Sequence, residues 1–401
     1  MRAKATMASA TAQEGQPAHS GKVMSWLRKV FELNPGGPNW ARAVLFLDVM
    51  LAPLVLFWSI GYQQYLLSAL FGALLALAAD PGGGYGQRAV HIVVFAAVGA
   101  GLTALGFGIG ADAWGWVVLA GFVATLLAGL TVMFGVHRFV AATALNLWFI
   151  IALALANAFH QHAHITSYTW AQTLAWTGGA ALWIVVTFIE WLIRGRADRP
   201  QPIAELPGDN SRRKLTRPII MFAVIRALVI AGTMALAWGC NLSHGYWMPI
   251  AAMVAMKPSL QQATLIGVQR IVGALLGAGV AVLLLLIPAN VTGTKLFAVT
   301  VGFEAVALIF LVHGVAIRFV NYALYYTAIS AGVLILLDLG QPSNYGAEGY
   351  RILWALCGVA VAVVVMFLAG LLAKRGTATV PPPRPAPQPG PQPAQTRPTG
   401  R

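Results

Sequence analysis

Twelve apolar runs divide the chain, and few folds accept such a pattern. They lie near 41–59, 65–80, 89–110, 114–135, 138–159, 170–192, 219–240, 245–257, 263–287, 294–313, 316–338 and 350–373. At 1.5 Å per residue most are long enough to cross, or nearly cross, about 30 Å of hydrocarbon. Lipid offers a peptide group no hydrogen-bond partner, so a span must satisfy its backbone internally, as a helix does. Charged residues make up 9% of the chain, against roughly 25% in soluble domains, which excludes a soluble fold. The expectation is an all-α membrane protein with about 12 transmembrane helices.

Lys and Arg outnumber Asp and Glu by 26 to 12, for a net +14. In a soluble protein this excess would suggest nucleic acid; here it sits in loops and tails, where it sets orientation and attracts anionic lipid headgroups. With a cytoplasmic N-terminus, one side receives Arg88, Arg138, Arg194, Arg196, Arg199, Arg212, Arg213, Lys214, Arg217, Lys257, Arg318, Lys374 and Arg375. The other receives only Lys295 and Arg351, with Asp112, Asp338 and Glu348. Both termini are therefore expected in the cytoplasm.

The runs fall into two sets of six around the basic, Pro-containing stretch between the sixth and seventh. This gives a cytoplasmic N-terminal segment with a short amphipathic helix (1–38), a first six-helix repeat (39–193), a basic linker (194–217), a second six-helix repeat (218–375) and a Pro-rich tail (376–401). An even number of spans per half makes the repeat parallel. In the N-terminal segment Val23, Leu27, Val30 and Phe31 share a helical face, which suits either a helix in the membrane interface or one packed on the bundle. The tail has no capacity to bury a core, and its composition favours extended polyproline conformations.

Internal similarity supports the division. The segment Gly245 to Pro288 combines a short apolar run broken by Pro249, a polar turn at Lys257-Pro258 and a long apolar helix carrying Arg270 near its start. Tyr65 to Leu105 follows the same plan, with Asp80-Pro81 at the turn. Arg138-Phe139-Val140 recurs as Arg318-Phe319-Val320 at the start of the fifth run of each half. Short or Pro-interrupted segments at matching places in two halves point to a transport site, because a broken helix frees backbone groups for a ligand or a water-filled path.

Ionisable residues inside spans are costly, at least about 2.5–3.5 kcal/mol at a helix centre, and are functional candidates for that reason. Asp48 and Arg226 stand at similar depth in the first and seventh runs, which fits either a structural ion pair or a coupling role. Glu304, in the middle of the tenth run, is either the protonatable group of a transport cycle or a carboxylate satisfied by its neighbours. Arg138, Arg318, Lys257 and Arg270 end spans on the inner side, where they either snorkel to headgroups or draw an anion to the inner mouth. Tyr322 and Tyr326 offer rings and hydroxyls to a ring-bearing ligand, with core packing as the other reading. Gly72/Ala76, Ala97/Gly101 and Gly273/Gly277 have helix-packing spacing.

Other signals point away from cofactors and catalysis. Pro81 to Gly86 reads PGGGYG without a following G-K-[ST], which argues against ATP. His160, His162 and His164 alternate in a loop lacking supporting Cys or carboxylates, and Cys240 and Cys357 are far apart in the chain. No metal and no cofactor is expected. Hydrolase and metalloprotease constellations are absent from the sequence, so an enzyme is not expected.

The segment YWMPIAAMVAMKPSLQQATLIGVQRIVGALLGAGVAVL, the six-plus-six plan and the basic break resemble the FUSC family of fusaric-acid-resistance-like and aromatic acid exporter proteins over roughly 40–373. The resemblance implies export of small aromatic or other organic acids across the bacterial cytoplasmic membrane, driven by an ion or proton gradient. It also implies a periplasmic adaptor or a homo-oligomer as partner. Many family members carry a sizeable cytosolic domain, whereas here a short loop and the Pro-rich tail stand in its place. The expected site is the interface of the halves, lined by the broken second and eighth spans, with Lys257, Arg270, Arg138 and Arg318 attracting anions and Glu304, Asp48 and Arg226 in coupling. A passive organic-anion channel and a membrane scaffold for envelope assembly are the alternatives.

Overall fold

The computed structural model describes residues 30–33, 35–81, 84–159, 165–193, 195, 212, 214–256, scattered positions between 269 and 284, 294–318, 320–338 and 345–378. Every regular element among them is helical. In chain order they are α1 (Trp40–Ser59), α2 (Leu66–Ala79), α3 (Tyr85–Ile109), α4 (Trp114–Leu130), α5 (Val136–Phe159), α6 (Ile165–Ile193), α7 (Arg217–Gly239), α8 (Trp247–Ala255), α9 (Thr294–Ile317), α10 (Tyr322–Asp338) and α11 (Tyr345–Ala378). Short 3₁₀ turns at Gln63–Tyr65 and Thr131–Phe134 precede α2 and α5. The second of these ends at Gly135, whose φ of 99° is one that an L side chain rarely adopts.

Six of these helical stretches are long and apolar enough to cross a membrane: Tyr85–Ile109, Trp114–Phe134, His137–Asn157, Tyr168–Ile193, Arg217–Gly239 and Gly349–Leu371. Apolar stretches of α1, α2, α9 and α10 are shorter. The eleventh run starts later than its hydropathy suggests, because Asn321 caps α10 by accepting the Leu324 N–H on Oδ1 at 2.9 Å.

The helices are apolar outside, and a few polar side chains pair at their mainly apolar contacts. Val90, Val93, Val94, Val98 and Leu105 stand exposed along α3, while inside the bundle Trp148 donates to Thr103 at 2.8 Å and Asn146 donates to Thr125 at 2.9 Å. The Ser68 hydroxyl meets the Gln172 side chain between α2 and α6. This is the arrangement lipid imposes, because apolar surface gains little by leaving a hydrocarbon solvent. Close packing and interhelical hydrogen bonds hold the bundle instead.

Packing follows one scheme twice. The short α2 lies on α6 and the short α8 lies on α11, while α4 packs against α7 and α1 against α9. A Cβ on Gly179 of α6 would strike the Ala69 carbonyl and the Ala73 amide of α2. A Cβ on Gly358 of α11 would strike the Met248 carbonyl and the Ala252 amide of α8. Each member of the second trio lies 179 residues after its counterpart in the first.

Gly72 packs against Trp176, and Gly273 and Gly277 meet Ala323 and Thr327 of α10. Ala97 and Gly101, by contrast, face outward, and a Cβ on Gly101 would meet nothing within 4 Å. Ahead of α1, the Val30 carbonyl accepts Gln269 at 3.2 Å and Asn321 at 3.1 Å, so this part of the N-terminal segment is pinned to the bundle.

Candidate functional site

The two short helices stop for local reasons. Asp80, which precedes Pro81, takes an extended ψ of 116° and ends α2, as the clash with a following proline ring requires. Met256 is likewise extended, with ψ 105°, and ends α8. Pro249 does not break this helix: it is the third residue of α8, in the first turn, where a missing N–H costs no hydrogen bond.

Side chains from neighbouring helices meet the carbonyls and the acid at these ends. His137 Nε2 lies 3.1 Å from the Ala79 oxygen. Asp80 is buried and takes Arg88 through both carboxylate oxygens, at 3.0 and 2.6 Å, together with the Trp183 indole N–H at 3.2 Å. Near the end of α8, Met253 presents its carbonyl to Arg226 at 3.3 Å.

A cavity of ≈ 130 Å³ opens between these elements, toward the end of the bundle where α1 and α5 finish and α2 and α8 begin. Phe46, Met50 and Leu54 of α1, Phe71 and Leu74 of α2 and Ile151 and Leu155 of α5 form one wall. Tyr246, Trp247 and Ile250 at the head of α8 and Leu308 of α9 form the other. Glu304, half-buried on α9, is the ionisable carboxylate in this lining. The Trp247 Nε1–H is buried and has no acceptor among the described residues. An aromatic, apolar enclosure with one acid suits a small ring-bearing ligand.

Arg226 lies deeper, where α5 and α7 begin and α8 ends. It is 0% exposed. Its Nη2 donates to Thr143 Oγ1 at 3.2 Å and to the Met253 carbonyl, and its guanidinium carbon stands 4.9 Å from the centroid of the Phe139 ring. Nε and Nη1 have no acceptor among the described residues. Burying a cation without a counter-charge costs on the order of several kcal/mol even after relaxation, so this position demands an explanation beyond packing.

The pairing of Arg226 with Asp48 is not found: Asp48 is exposed on the outer face of α1. The helix surfaces explain why. Ala43, Phe46 and Pro53 are buried on α1 where Ala223, Arg226 and Thr233 are buried on α7, so Phe46 occupies the place equivalent to Arg226 and Asp48 that of exposed Leu228. Two residues along a helix is about 200° around it.

Among the described residues, the remaining sequence candidates lie outside the cavity lining. Arg138 is exposed, with its guanidinium 5.7 Å from the Phe134 ring centroid, and Arg318 stands 5.9 Å over Tyr325. Tyr322 and Tyr326 stack on each other at 6.3 Å in the first turns of α10. Lys257, Pro258, Arg270 and the three loop histidines at 160, 162 and 164 lie outside the described residues. Among the described residues no group of three His, Cys, Asp or Glu is placed to hold a metal ion. Sequence reasoning missed Trp247, Phe71 and Phe46 as lining residues, and Thr143 and Phe139 around Arg226. Phe139 sits inside the repeated Arg-Phe-Val motif, which was the available signal.

Residues 229–365 match the family profile described as fusaric acid resistance protein-like. No curated protein and no solved structure matches the chain.

Proposed function

We propose, from the FUSC-family membership that the match over residues 229–365 supports, that this membrane protein exports small aromatic or other organic acids. The observation that carries this reading is the cavity between the halves, lined by the heads of the short helices and containing Glu304. The substrate ring lies among Phe46, Phe71, Tyr246 and Trp247. Glu304 takes up and releases a proton during the cycle, so that a proton gradient drives export.

The arrangement that goes with this is twelve spans in two parallel repeats, 39–193 and 218–375, joined by the linker 194–217. The duplicated packing of Gly179 and Gly358 on the short helices supports it. Both termini, with the segment 1–38 and the tail 376–401, lie in the cytoplasm of a bacterial cell whose inner membrane supplies anionic lipid. A periplasmic adaptor or a second copy of the chain is the expected partner.

The test is flux of p-hydroxybenzoate in liposomes containing the purified protein, with and without an imposed pH gradient. Accumulation against the substrate gradient that requires the pH gradient is the expected result. Downhill flux indifferent to pH would replace the exporter by a channel, and no flux of any acid tried would favour the scaffold reading.

A further inference from the structure

Resting on the transport reading, we propose that Arg226 is a carboxylate-binding residue on the substrate path, on the far side of the cavity floor from Glu304. Three observations lead there. The guanidinium is 0% exposed, and among the described residues it has only a hydroxyl, a carbonyl and an aromatic face around it. Among the described residues its Nε and Nη1 find no acceptor. Arginine grips a carboxylate through either of two forks, Nε with Nη2 or Nη1 with Nη2. Each fork here retains one unused donor.

The position is the third observation. Met253, which Arg226 touches, is one turn beyond Ile250 of the cavity wall, about 4.5 Å along α8. On α5 the cavity residue Ile151 and the Arg226 partner Thr143 are eight residues apart on the same helix. α5 and α8 thus run from the cavity wall to the buried cation, which itself stands outside the cavity lining. Phe139, beneath the guanidinium, is placed to meet a ligand's ring. The Met253 carbonyl belongs to the last turn of α8, where it has no intrahelical N–H, so Arg226 supplies its donor through Nη2 and keeps Nε and Nη1 for a ligand.

The ligand class is an aromatic or short-chain carboxylate, and the competing source of negative charge is an inorganic anion. The experiment follows thermal unfolding of the full-length protein in detergent with sodium benzoate, sodium chloride or benzyl alcohol, for wild type, Arg226→Met and Arg226→Lys. Benzoate should raise the wild-type Tm by several degrees, with chloride and benzyl alcohol well below it. Arg226→Met should keep or raise the ligand-free Tm, because an apolar isostere often replaces a buried charge without loss, and should abolish the benzoate shift. Arg226→Lys, which keeps the charge and loses the fork, should retain a reduced shift and show a benzoate KM in flux raised about 10- to 100-fold.

A benzoate shift that persists in Arg226→Met overturns the assignment, and so does equal protection by chloride. If Arg226→Met does not fold, an unchanged KM in Arg226→Lys overturns it as well. Absence of benzoate flux in wild type would sink the transport reading alone, since the Tm series reports binding without transport.

Discussion

Replacing Arg88 by Met isolates the interaction that finishes the first short helix. Arg88 and Asp80 have side chains 19% and 7% exposed, bonded at 2.6 Å through Nη2 and 3.0 Å through Nε. With charge centres about 4 Å apart, their attraction is about 4 kcal/mol at an effective dielectric of about 20. Removing one partner of a buried pair costs about 3–5 kcal/mol, mostly because the other charge is stranded. Arg88 keeps some access to solvent, so the low end, about 3 kcal/mol, is expected. Asp80→Asn retains an acceptor for Trp183 and should cost about 1.5 kcal/mol, while the double variant should cost only about 2 kcal/mol, a coupling of about 2.5 kcal/mol. Equilibrium unfolding in mixed SDS and dodecyl maltoside micelles, followed by helical circular dichroism, measures all three. An Arg88→Met cost below about 0.5 kcal/mol, or additivity of the two singles, would refute the reasoning.

Gly179→Leu and Gly358→Leu should each cost about 2 kcal/mol or more in the same assay, because a Cβ there meets backbone that cannot yield. Gly101→Leu should stay within about 0.5 kcal/mol, since its Cβ meets open space. Asn321→Ala should lose about 1–2 kcal/mol, having removed the cap of α10 and the bonds to the Val30 and Glu32 carbonyls. Trp247→Ala should remove part of the aromatic cavity wall and raise the KM for p-hydroxybenzoate by about 3- to 10-fold.

Hydropathy made the helix positions legible, because a run that must satisfy its own backbone in lipid leaves a long apolar signature. The short second and eighth runs were equally plain, and α2 and α8 end where Asp80-Pro81 and Met256 place their stops. Depth in the membrane could be counted along the chain, but direction around a helix could not. Asp48 and Arg226 share a depth to within a few ångström, and that was enough to suggest a pair. Which residues face inward depends on neighbouring helices, and a shift of two residues sends Asp48 outside while Arg226 stays buried. For the same reason Arg138 was visible as a repeated charge, yet it is its neighbour Phe139 that faces the interior under Arg226. The cavity residues gave no signal of their own, since Phe46, Phe71 and Trp247 look like any other aromatic residues in a span until the two halves are packed together. Pro249 misled because proline breaks a helix only beyond its first turn.

Glu304→Gln in liposomes tests whether Glu304 links substrate movement to protons. Two modes are compared with the same preparation: accumulation of p-hydroxybenzoate driven by a pH gradient, and exchange of labelled for unlabelled substrate with no gradient imposed. The glutamine variant should lose accumulation and keep exchange, since the cavity survives and the proton site does not. A variant that accumulates substrate as wild type does would contradict that link.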